Sequence, residues 1–311
     1  MCRAEAVLQA PPKKTRLPEL NRFDLKDRGM IQTYIDTFKP LSCEYNFSNL
    51  FAWQDAYQLT WTLYQERLLI YDNVSQCGFI PLGEDFCPEE LVVLSLNLKD
   101  MGLTPDFYLV TPDYLRRFPW IENYYEVREE RDYSEYIYDV NSLCELTGKK
   151  LHKKRNLISQ FKRAYPDFEV HPLKGEYKSK ALELTKELMS RSKLNSKTLD
   201  HEFCALKTSF DYFEDLGLEG LAITIGSRMV AFSVFSRLSR STYDIQFEKS
   251  DIEFKGVSQV INHETALYLK DKCFYLNREQ DLGIKGLRQA KLSYQPLKLI
   301  TLYSLVFSPL N

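Results

Sequence analysis

The spacing of apolar and polar residues predicts a chain in which strands and helices alternate. In the first part, "YQLTWTLYQ", "RLLIYDN" and "QCGFIPLG" predict three strands between residues 57 and 83. A helix follows in "CPEELVVLSLNLKDMG", with Pro88 near its start and Gly102 after its end. "DFYLVT" predicts another strand, "PDYLRRF" a short helix and "YYEVREERDYSEYIYDV" an extended stretch. Ahead of these, "FDLKD" predicts a short strand and residues 30–57 a helical region.

The second part repeats this order of elements without repeating the sequence. "FEVHPL" predicts a strand and two helices follow, the second with apolar residues on one face: Leu199, Phe203, Leu206, Phe210 and Phe213. Three strands, "LEGLAITIG", "RMVAFSVFSRLS" and "TYDIQFEKS", precede the loop at Gly256 and a helix. "CFYLNRE" predicts a strand, "IKGLRQAKLSY" a helix and "KLITLYSLVF" a final strand. Each part combines an antiparallel meander with a strand–helix–strand crossover, which predicts an α+β fold with mixed α/β sheets.

Composition narrows the function classes. The net charge of −2 over 311 residues argues against binding of nucleic acid or anionic lipid by the whole surface, although a local basic patch is allowed. The seven cysteines form no C-x-x-C pair, which is typical of reduced thiols and predicts a cytoplasmic protein. The four histidines lack metal-binding spacing, so no metal site is predicted. No apolar run reaches the roughly 18 residues of a membrane span.

Three stretches carry a resemblance to known proteins. The order of elements resembles the GCN5-related N-acetyltransferase (GNAT) fold, and a tandem pair resembles the Fem-type aminoacyltransferases. More specifically, "CEYNFSNLFAWQDAYQLTW", "GKKLHKKRNLISQFKRAYPDFEV" and "NREQDLGIKGLRQAKLSYQP" resemble the C-terminal family of phosphatidylglycerol lysyltransferase. The resemblance implies two tandem GNAT-like acyl-CoA N-acyltransferase domains, 23–145 and 146–311, after a loosely ordered leader, 1–22.

The resemblance also implies transfer of an aminoacyl group from aminoacyl-tRNA to an amine or hydroxyl acceptor, either a small molecule or a lipid headgroup. Two alternatives stay open: a CoA-dependent N-acyltransferase, and a non-catalytic binding protein on a GNAT scaffold. No firm cofactor is predicted; the donor is aminoacyl-tRNA or acyl-CoA.

The junction between strand and helix at Gly256 is the candidate donor site. In the GNAT fold the corresponding backbone binds a pyrophosphate, since a helix N-terminus offers unpaired N–H groups. The predicted donor-binding residues are Lys255, Gly256, Val257 and Ser258. Glu253 departs from the acetyl-CoA pattern and would repel a phosphate. The alternative is an ordinary helix start after a turn.

The stretch "GKKLHKKRNLISQFKR" contains seven Lys or Arg residues and no acid. It predicts a basic helix whose exposed side could contact tRNA phosphates. The predicted contacts are Lys150, Lys153, Lys154, Arg155 and Asn156. The alternative is a solvated helix that links the two domains.

The remaining candidates belong to the acyl cleft of the second domain. The resemblance places Arg278 at the oxyanion, Glu279 or Asp281 as general base and Tyr294 as the acid for the leaving group. The acceptor contacts are Tyr243, Asp244, Gln246, Asn277 and Lys291. The alternatives are a solvent-exposed Arg278–Glu279 pair and a packing role for Tyr294.

Overall fold

The computed structural model describes residues 16–192 and 196–308, which form two compact units interleaved along the sequence. The first unit contains 16–22, Thr60–Glu129 and 302–308; the second contains Phe23–Leu59 and Glu130–Thr301. The sequence analysis instead divided the chain into two consecutive domains, 23–145 and 146–311, and this division stays a prediction. The predicted leader lies mostly outside the described residues, and within its described end Leu17 is buried.

The helices and strands follow one another in a mixed order. Those of residues 23–145 are α1 (Arg28–Phe38), α2 (Phe47–Tyr57), β1 (Thr60–Tyr64), β2 (Arg67–Asp72), β3 (Cys77–Phe79), α3 (Pro88–Asp100), β4 (Phe107–Val110), α4 (Pro112–Arg117), β5 (Tyr125–Glu129), β6 (Glu135–Asp139) and α5 (Val140–Glu145). Those of residues 146–308 are α6 (Gly148–Ala164), β7 (Phe168–Pro172), α7 (Glu176–Arg191), α8 (Ser196–Asp211), β8 (Glu219–Ile225), β9 (Arg228–Arg237), β10 (Thr242–Ser250), α9 (Val257–Leu269), β11 (Tyr275–Asn277), α10 (Lys285–Leu292), β12 (Lys298–Ile300) and β13 (Tyr303–Phe307).

The first unit is built on a mixed sheet with the strand order β1-β2-β3-β4-β13-β5. Strands β1, β2 and β3 form an antiparallel meander, and α3 crosses over to β4, which runs parallel to β3. Leu91, Leu94 and Leu98 follow the helical spacing of three and four, and all three are buried in the core of this unit. Pro88 and the Glu90 carboxylate, which accepts from the Cys87 N–H at 3.0 Å, fix the start of α3.

The second unit repeats the plan with the strand order β12-β6-β11-β10-β9-β8-β7. Strands β8, β9 and β10 form the meander, and α9 crosses over to β11, which runs parallel to β10. Val257, Val260 and Ile261 of α9 are fully buried in a core formed with one face of this sheet. The other face carries α2, whose Trp53 stacks on Phe247 of β10. The α+β class with mixed sheets is therefore confirmed.

The parallel pair β10–β11 separates partway along its length. Pairing runs from Thr242 opposite Tyr275 to Asp244 opposite Asn277, and β10 then continues without β11. A bulge between Ile245 and Phe247 interrupts the register of β10 with β9 close to this point. The strands therefore open a splay whose two sides carry residues 246–250 and residues 278 onward.

Two local predictions are wrong. "FDLKD" forms a 3₁₀ turn, Leu25–Asp27, because the Asp24 carboxylate caps it by accepting from the Lys26 N–H at 3.0 Å. The final strand is two strands: β12 pairs with β6, and β13 lies between β4 and β5 of the first unit's sheet. Among the described residues, no helix combines the length and the apolar character that a bilayer crossing needs.

Candidate functional site

Helix α2 presents amide side chains to the sheet of the second unit. Its apolar residues Phe47, Leu50 and Phe51 are buried, as their spacing predicts. Asn46 caps the helix, and its side-chain oxygen accepts from the Ser48 N–H at 3.3 Å. Asn49, one turn further, is only 5% exposed and reaches strand residues that are distant in the sequence.

Four acidic groups meet beneath α2. Cys43, Glu135, Asp244 and Glu279, hereafter the acidic cluster, come from the turn before α2, from β6, from β10 and from the residues after β11. The first three are fully buried and Glu279 is half-buried. One ligand atom each of Cys43, Asp244 and Glu279 lies within 4.8 Å of the other two. Titratable groups that are usually solvated are thus collected in the protein interior.

Glu135 is held by hydrogen bonds from three neighbours. The Ser42 hydroxyl donates to Oε1 at 2.5 Å, the Cys43 N–H donates to Oε2 at 3.0 Å, and the Asn277 amide donates to Oε2 at 2.5 Å. Because both oxygens accept hydrogen bonds, Glu135 fixes the backbone of Cys43 in place.

Asn49 connects Asp244 with Glu279. Its Nδ2 donates to Asp244 Oδ2 at 3.0 Å and to Glu279 Oε1 at 3.3 Å. Gln246 Nε2 donates to Asn49 Oδ1 at 2.7 Å and so sets the orientation of this amide. The arrangement leaves Asp244 Oδ1 and Gln246 Oε1 buried and without a hydrogen-bond donor among the described residues.

The acidic cluster is electrostatically strained. Burial and the charges of Glu135 and Glu44 raise the pKa of Asp244 well above its ordinary value. Burial and the Asp244 charge raise the pKa of Glu279 in the same way, and burial raises the pKa of the Cys43 thiol. Glu279 also has a backbone φ of 51°, a region that residues other than glycine rarely adopt. A proton or a cation in the cluster would relieve this repulsion.

Lys291 lies beside the acidic cluster but does not neutralise it by direct contact. Its ammonium donates to the Arg278 carbonyl at 2.5 Å and to the Gln280 carbonyl. Burial lowers the pKa of Lys291 to about 8, although the Glu279 charge opposes this shift.

Arg278 points to the opposite face of the sheet, because successive residues of an extended chain alternate. Its guanidinium pairs with Glu248 of β10 at 2.8 Å, which bridges the splay, and lies 5.2 Å from the ring centroid of Tyr294. Lys154 of α6 contacts the same tyrosine, with Nζ 4.0 Å from the Tyr294 ring centroid. Burial and the nearby Arg278 charge lower the pKa of Lys154 to about 8.

Two predicted site residues lie in other networks. Asp281 accepts from Arg288 at 2.9 and 2.7 Å and from the Tyr136 hydroxyl at 2.5 Å. These bonds hold the pKa of Asp281 well below its ordinary value even though burial opposes the shift. The Tyr243 hydroxyl donates to Glu219 at 3.0 Å, away from the acidic cluster.

The junction at Gly256 is packed against α6. A Cβ added to Gly256 would lie 2.4 Å from the Leu157 carbonyl oxygen and 3.1 Å from Phe161 Cβ. The Val257 N–H donates to the Phe254 carbonyl at 3.0 Å, which removes one amide from any anion site. Lys255 is exposed, and Ser258 is half-buried with its hydroxyl 2.6 Å from that of Ser250. The donor role of these residues stays a prediction.

Some basic side chains of helix α6 are exposed to solvent, and others contact the rest of the protein. Lys150, Lys153 and Asn156 are exposed. Arg155 instead donates to the Leu146 carbonyl and to the Gly148 carbonyl, the latter at 3.1 Å. The start of the helix borders a cavity of about 340 Å³ lined by Gly148, Lys149, His152 and Arg155.

The structure thus brings Asp244, Gln246, Asn277 and Glu279 together, and brings Arg278, Tyr294 and Lys154 together on the opposite face. Sequence reasoning missed Cys43, Asn49, Glu135 and Glu248 as members of these groups. Glu135, directly before the apolar run Tyr136–Tyr138, is the signal that was available, since an acid buried in the core needs partners.

Comparisons with known proteins agree with this architecture. A solved structure of a conserved Bacteroides thetaiotaomicron protein of unknown function is 27% identical, with a TM-score of 0.85, over 94% of this chain and 100% of that one. L-PGS from Bacillus licheniformis is 14% identical, with a TM-score of 0.61, over 92% and 93% of the two chains. FemX is 9% identical, with a TM-score of 0.57, over 94% and 98%.

The last two likenesses show the fold alone: the chain shares the fold of L-PGS and FemX. Among curated proteins, none matches the sequence. Residues 36–306, most of the chain, match the family described as phosphatidylglycerol lysyltransferase, C-terminal. The chain therefore belongs to the phosphatidylglycerol lysyltransferase C-terminal family.

Proposed function

We propose that the protein transfers an aminoacyl group from aminoacyl-tRNA to an amine or hydroxyl acceptor, and that the reaction takes place at the splay of the second unit. The observation that carries the proposal is the buried acidic cluster beside this splay. Membership of a family named for a lysyltransferase, together with the fold shared with FemX, supports aminoacyl transfer.

The charges around the splay suit the two ends of such a reaction. The acidic cluster on the α2 face favours a cationic group, the amino group of the aminoacyl donor or of the acceptor. On the opposite face, Arg278 and Lys154 favour an anionic or polar group, and the exposed Lys150 and Lys153 continue the positive charge along α6. A tRNA terminus with its phosphates fits the basic face.

The chemistry requires one proton acceptor and one stabilised oxyanion. The acceptor nitrogen or oxygen attacks the ester carbonyl and loses its proton to Glu279, whose raised pKa makes the carboxylate a stronger base than an ordinary one. Arg278, whose guanidinium spans the splay to Glu248, stabilises the negative oxygen of the intermediate from the side of the opening opposite Glu279. The C–O bond to the ribose then breaks, and the proton passes to the released hydroxyl, so the RNA leaves with a free terminus.

The Gly256 junction supports tRNA over acyl-CoA as donor. The glycine faces the backbone of α6 at a distance that leaves no room for a pyrophosphate on that side, and Glu253 adds a negative charge to the loop. A phosphate of CoA bound in the usual GNAT position would meet both obstacles.

Thermal stability with candidate ligands tests the donor. A ligand that binds only the folded protein raises its melting temperature. We expect uncharged tRNA to raise the melting temperature of the protein, whereas CoA and acetyl-CoA do not. The variant with Lys150→Ala and Lys153→Ala should lose the tRNA response while keeping the melting temperature of the free protein. A shift with CoA alone would overturn the proposed donor.

A further inference from the structure

We infer that Cys43, Asp244 and Glu279 form a binding site for a divalent cation of the zinc class. The thiol and the two carboxylates approach one another from three separate parts of the chain, with one ligand atom of each within 4.8 Å of the others. Cys43 and Asp244 are 0% exposed, so water does not screen these groups from one another. The site shares Glu279 with the proposed transfer reaction: with a cation bound, Glu279 is a ligand, so the base role described above belongs to the cation-free protein.

A buried oxygen without a partner points to a missing ligand. Asp244 Oδ1 has no hydrogen-bond donor among the described residues, although Asp244 Oδ2 accepts from Asn49. A buried carboxylate oxygen normally finds a donor or a cation, because leaving it unpaired loses its hydration without any replacement. The nearby Gln246 Oε1 is also unpaired among these residues, and Gln246 is 7% exposed.

The donor set favours zinc over the harder cations. A thiolate selects zinc-class metals, whereas magnesium and calcium prefer oxygen ligands alone. In a tetrahedral site with Zn–S of about 2.3 Å and Zn–O of about 2.1 Å, the ligand atoms lie about 3.5 Å apart. The three groups therefore need to close by no more than about 1.3 Å, and half-buried Glu279 is the member with room to move. Three protein ligands leave a fourth position open, as in catalytic zinc sites.

Neighbouring residues already orient two of the ligands. Asn49 holds Asp244 through Oδ2, which leaves Oδ1 for the cation. Glu135 accepts the Cys43 N–H at 3.0 Å and thereby fixes the position of the thiol. Supporting hydrogen bonds of this kind are the usual surroundings of protein metal sites. Binding releases the Cys43 proton to solvent, since the thiolate is the ligand.

Cobalt substitution tests the site without any donor or acceptor substrate. The full-length protein, stripped with a chelator, is titrated with Co²⁺ alone, and thiolate-to-cobalt charge-transfer absorption in the near ultraviolet is recorded. We expect one equivalent of Co²⁺ to produce the band and Zn²⁺ to abolish it by displacement. Cys43→Ser should remove the band, whereas Cys273→Ser, a change at another buried cysteine of the same unit, should leave it intact.

Glu279→Gln guards against a variant that fails to fold. It alters the half-buried ligand and keeps an oxygen for the Asn49 bond, so we expect a folded protein with Co²⁺ affinity reduced at least about ten-fold, by analogy with losses at metal sites. Absence of the band in the wild-type protein would overturn the inference, as would a band that persists in Cys43→Ser. A melting shift with lysine amide but with neither cation would also overturn it, because the cluster would then bind an ammonium group.

Discussion

Replacement of Gly256 by alanine separates a packing role of the Gly256 junction from a ligand-binding role. Gly256 has a φ of 97°, and a Cβ built there would lie 2.4 Å from the backbone oxygen of Leu157. This oxygen belongs to α6, and a backbone atom cannot turn aside as a flexible side chain can. We therefore expect Gly256→Ala to destabilise the protein even in the absence of any ligand.

The expected cost has two parts. Placing a non-glycine residue in the left-handed region costs about 1–2 kcal/mol. Forcing an extra carbon into a filled contact costs about 1–3 kcal/mol more. Gly256→Ala should thus lower the free energy of unfolding by about 2–5 kcal/mol. Gly226→Ala provides the matched control, since Gly226 has a φ of 56° and no heavy atom lies within 4 Å of the position that its Cβ would take, so only the first part applies.

Urea unfolding of both variants measures the difference. If the free energy of unfolding falls with urea concentration at the same slope in both variants, a shift in the urea midpoint reports the difference in stability directly. The reasoning is refuted if Gly256→Ala unfolds at the same urea concentration as Gly226→Ala, because α6 would then not approach the glycine as closely as the structure places it. In that case the junction would have the room that a donor phosphate needs.

Three further outcomes follow from the same contacts. Lys153→Ala removes an exposed charge and should lower the slope of log binding constant for tRNA against log salt concentration by about one, as measured by filter binding. Arg155→Ala should chiefly lower the melting temperature, because Arg155 donates hydrogen bonds to backbone carbonyls. Lys154→Met should stabilise the protein at pH 7, since the pKa of Lys154 falls from 10.5 to about 8 on folding. The gain in stability should vanish as the pH rises from 8 to 10.5. A difference in melting temperature between variant and wild type that stays constant across pH would contradict this expectation. Asp281→Asn should cost about 1–3 kcal/mol in urea unfolding, because Arg288 loses a buried charged partner. Because the pKa of Asp281 is depressed in the folded protein, the loss of unfolding free energy should have its full size above pH 3.8 and should decrease as the pH falls below that value. A loss that does not change with pH would argue against the ion pair.

The fold was largely predictable because its signals are local. The helical spacing of Leu91, Leu94 and Leu98 and the proline at the start of α3 mark that helix in the sequence alone. The Gly256 turn marks the start of α9 in the same way. The final strand was not predictable as two strands. "KLITLYSLVF" is mostly apolar, and it contains no glycine or proline to show that residues 301–302 pass from one sheet to the other.

The candidate site was predictable only in part, because it is assembled from distant residues. Asp244, Gln246 and Asn277 lie on strands that the apolar pattern predicted, and Glu279 follows the second of them. Alternation along an extended chain separates Glu279 from Arg278. Cys43 and Glu135 join them from about 200 and 140 positions away in the sequence, and no spacing rule covers such distant residues. The same distance explains why the histidine and cysteine spacing gave no sign of a metal site.

Transfer from charged tRNA tests the proposed aminoacyltransferase activity. The protein is incubated with tRNA aminoacylated with a radiolabelled amino acid and with an acceptor mixture of phosphatidylglycerol vesicles and small amines. We expect the label to leave the RNA faster than by spontaneous hydrolysis and to enter a product. Glu279→Gln should slow this release while the protein stays folded. Glu126→Gln, a change at an exposed acid of the other unit, should leave the rate of release unchanged. Release no faster than hydrolysis for every aminoacyl-tRNA, or equal release by the Glu279→Gln variant, would contradict it.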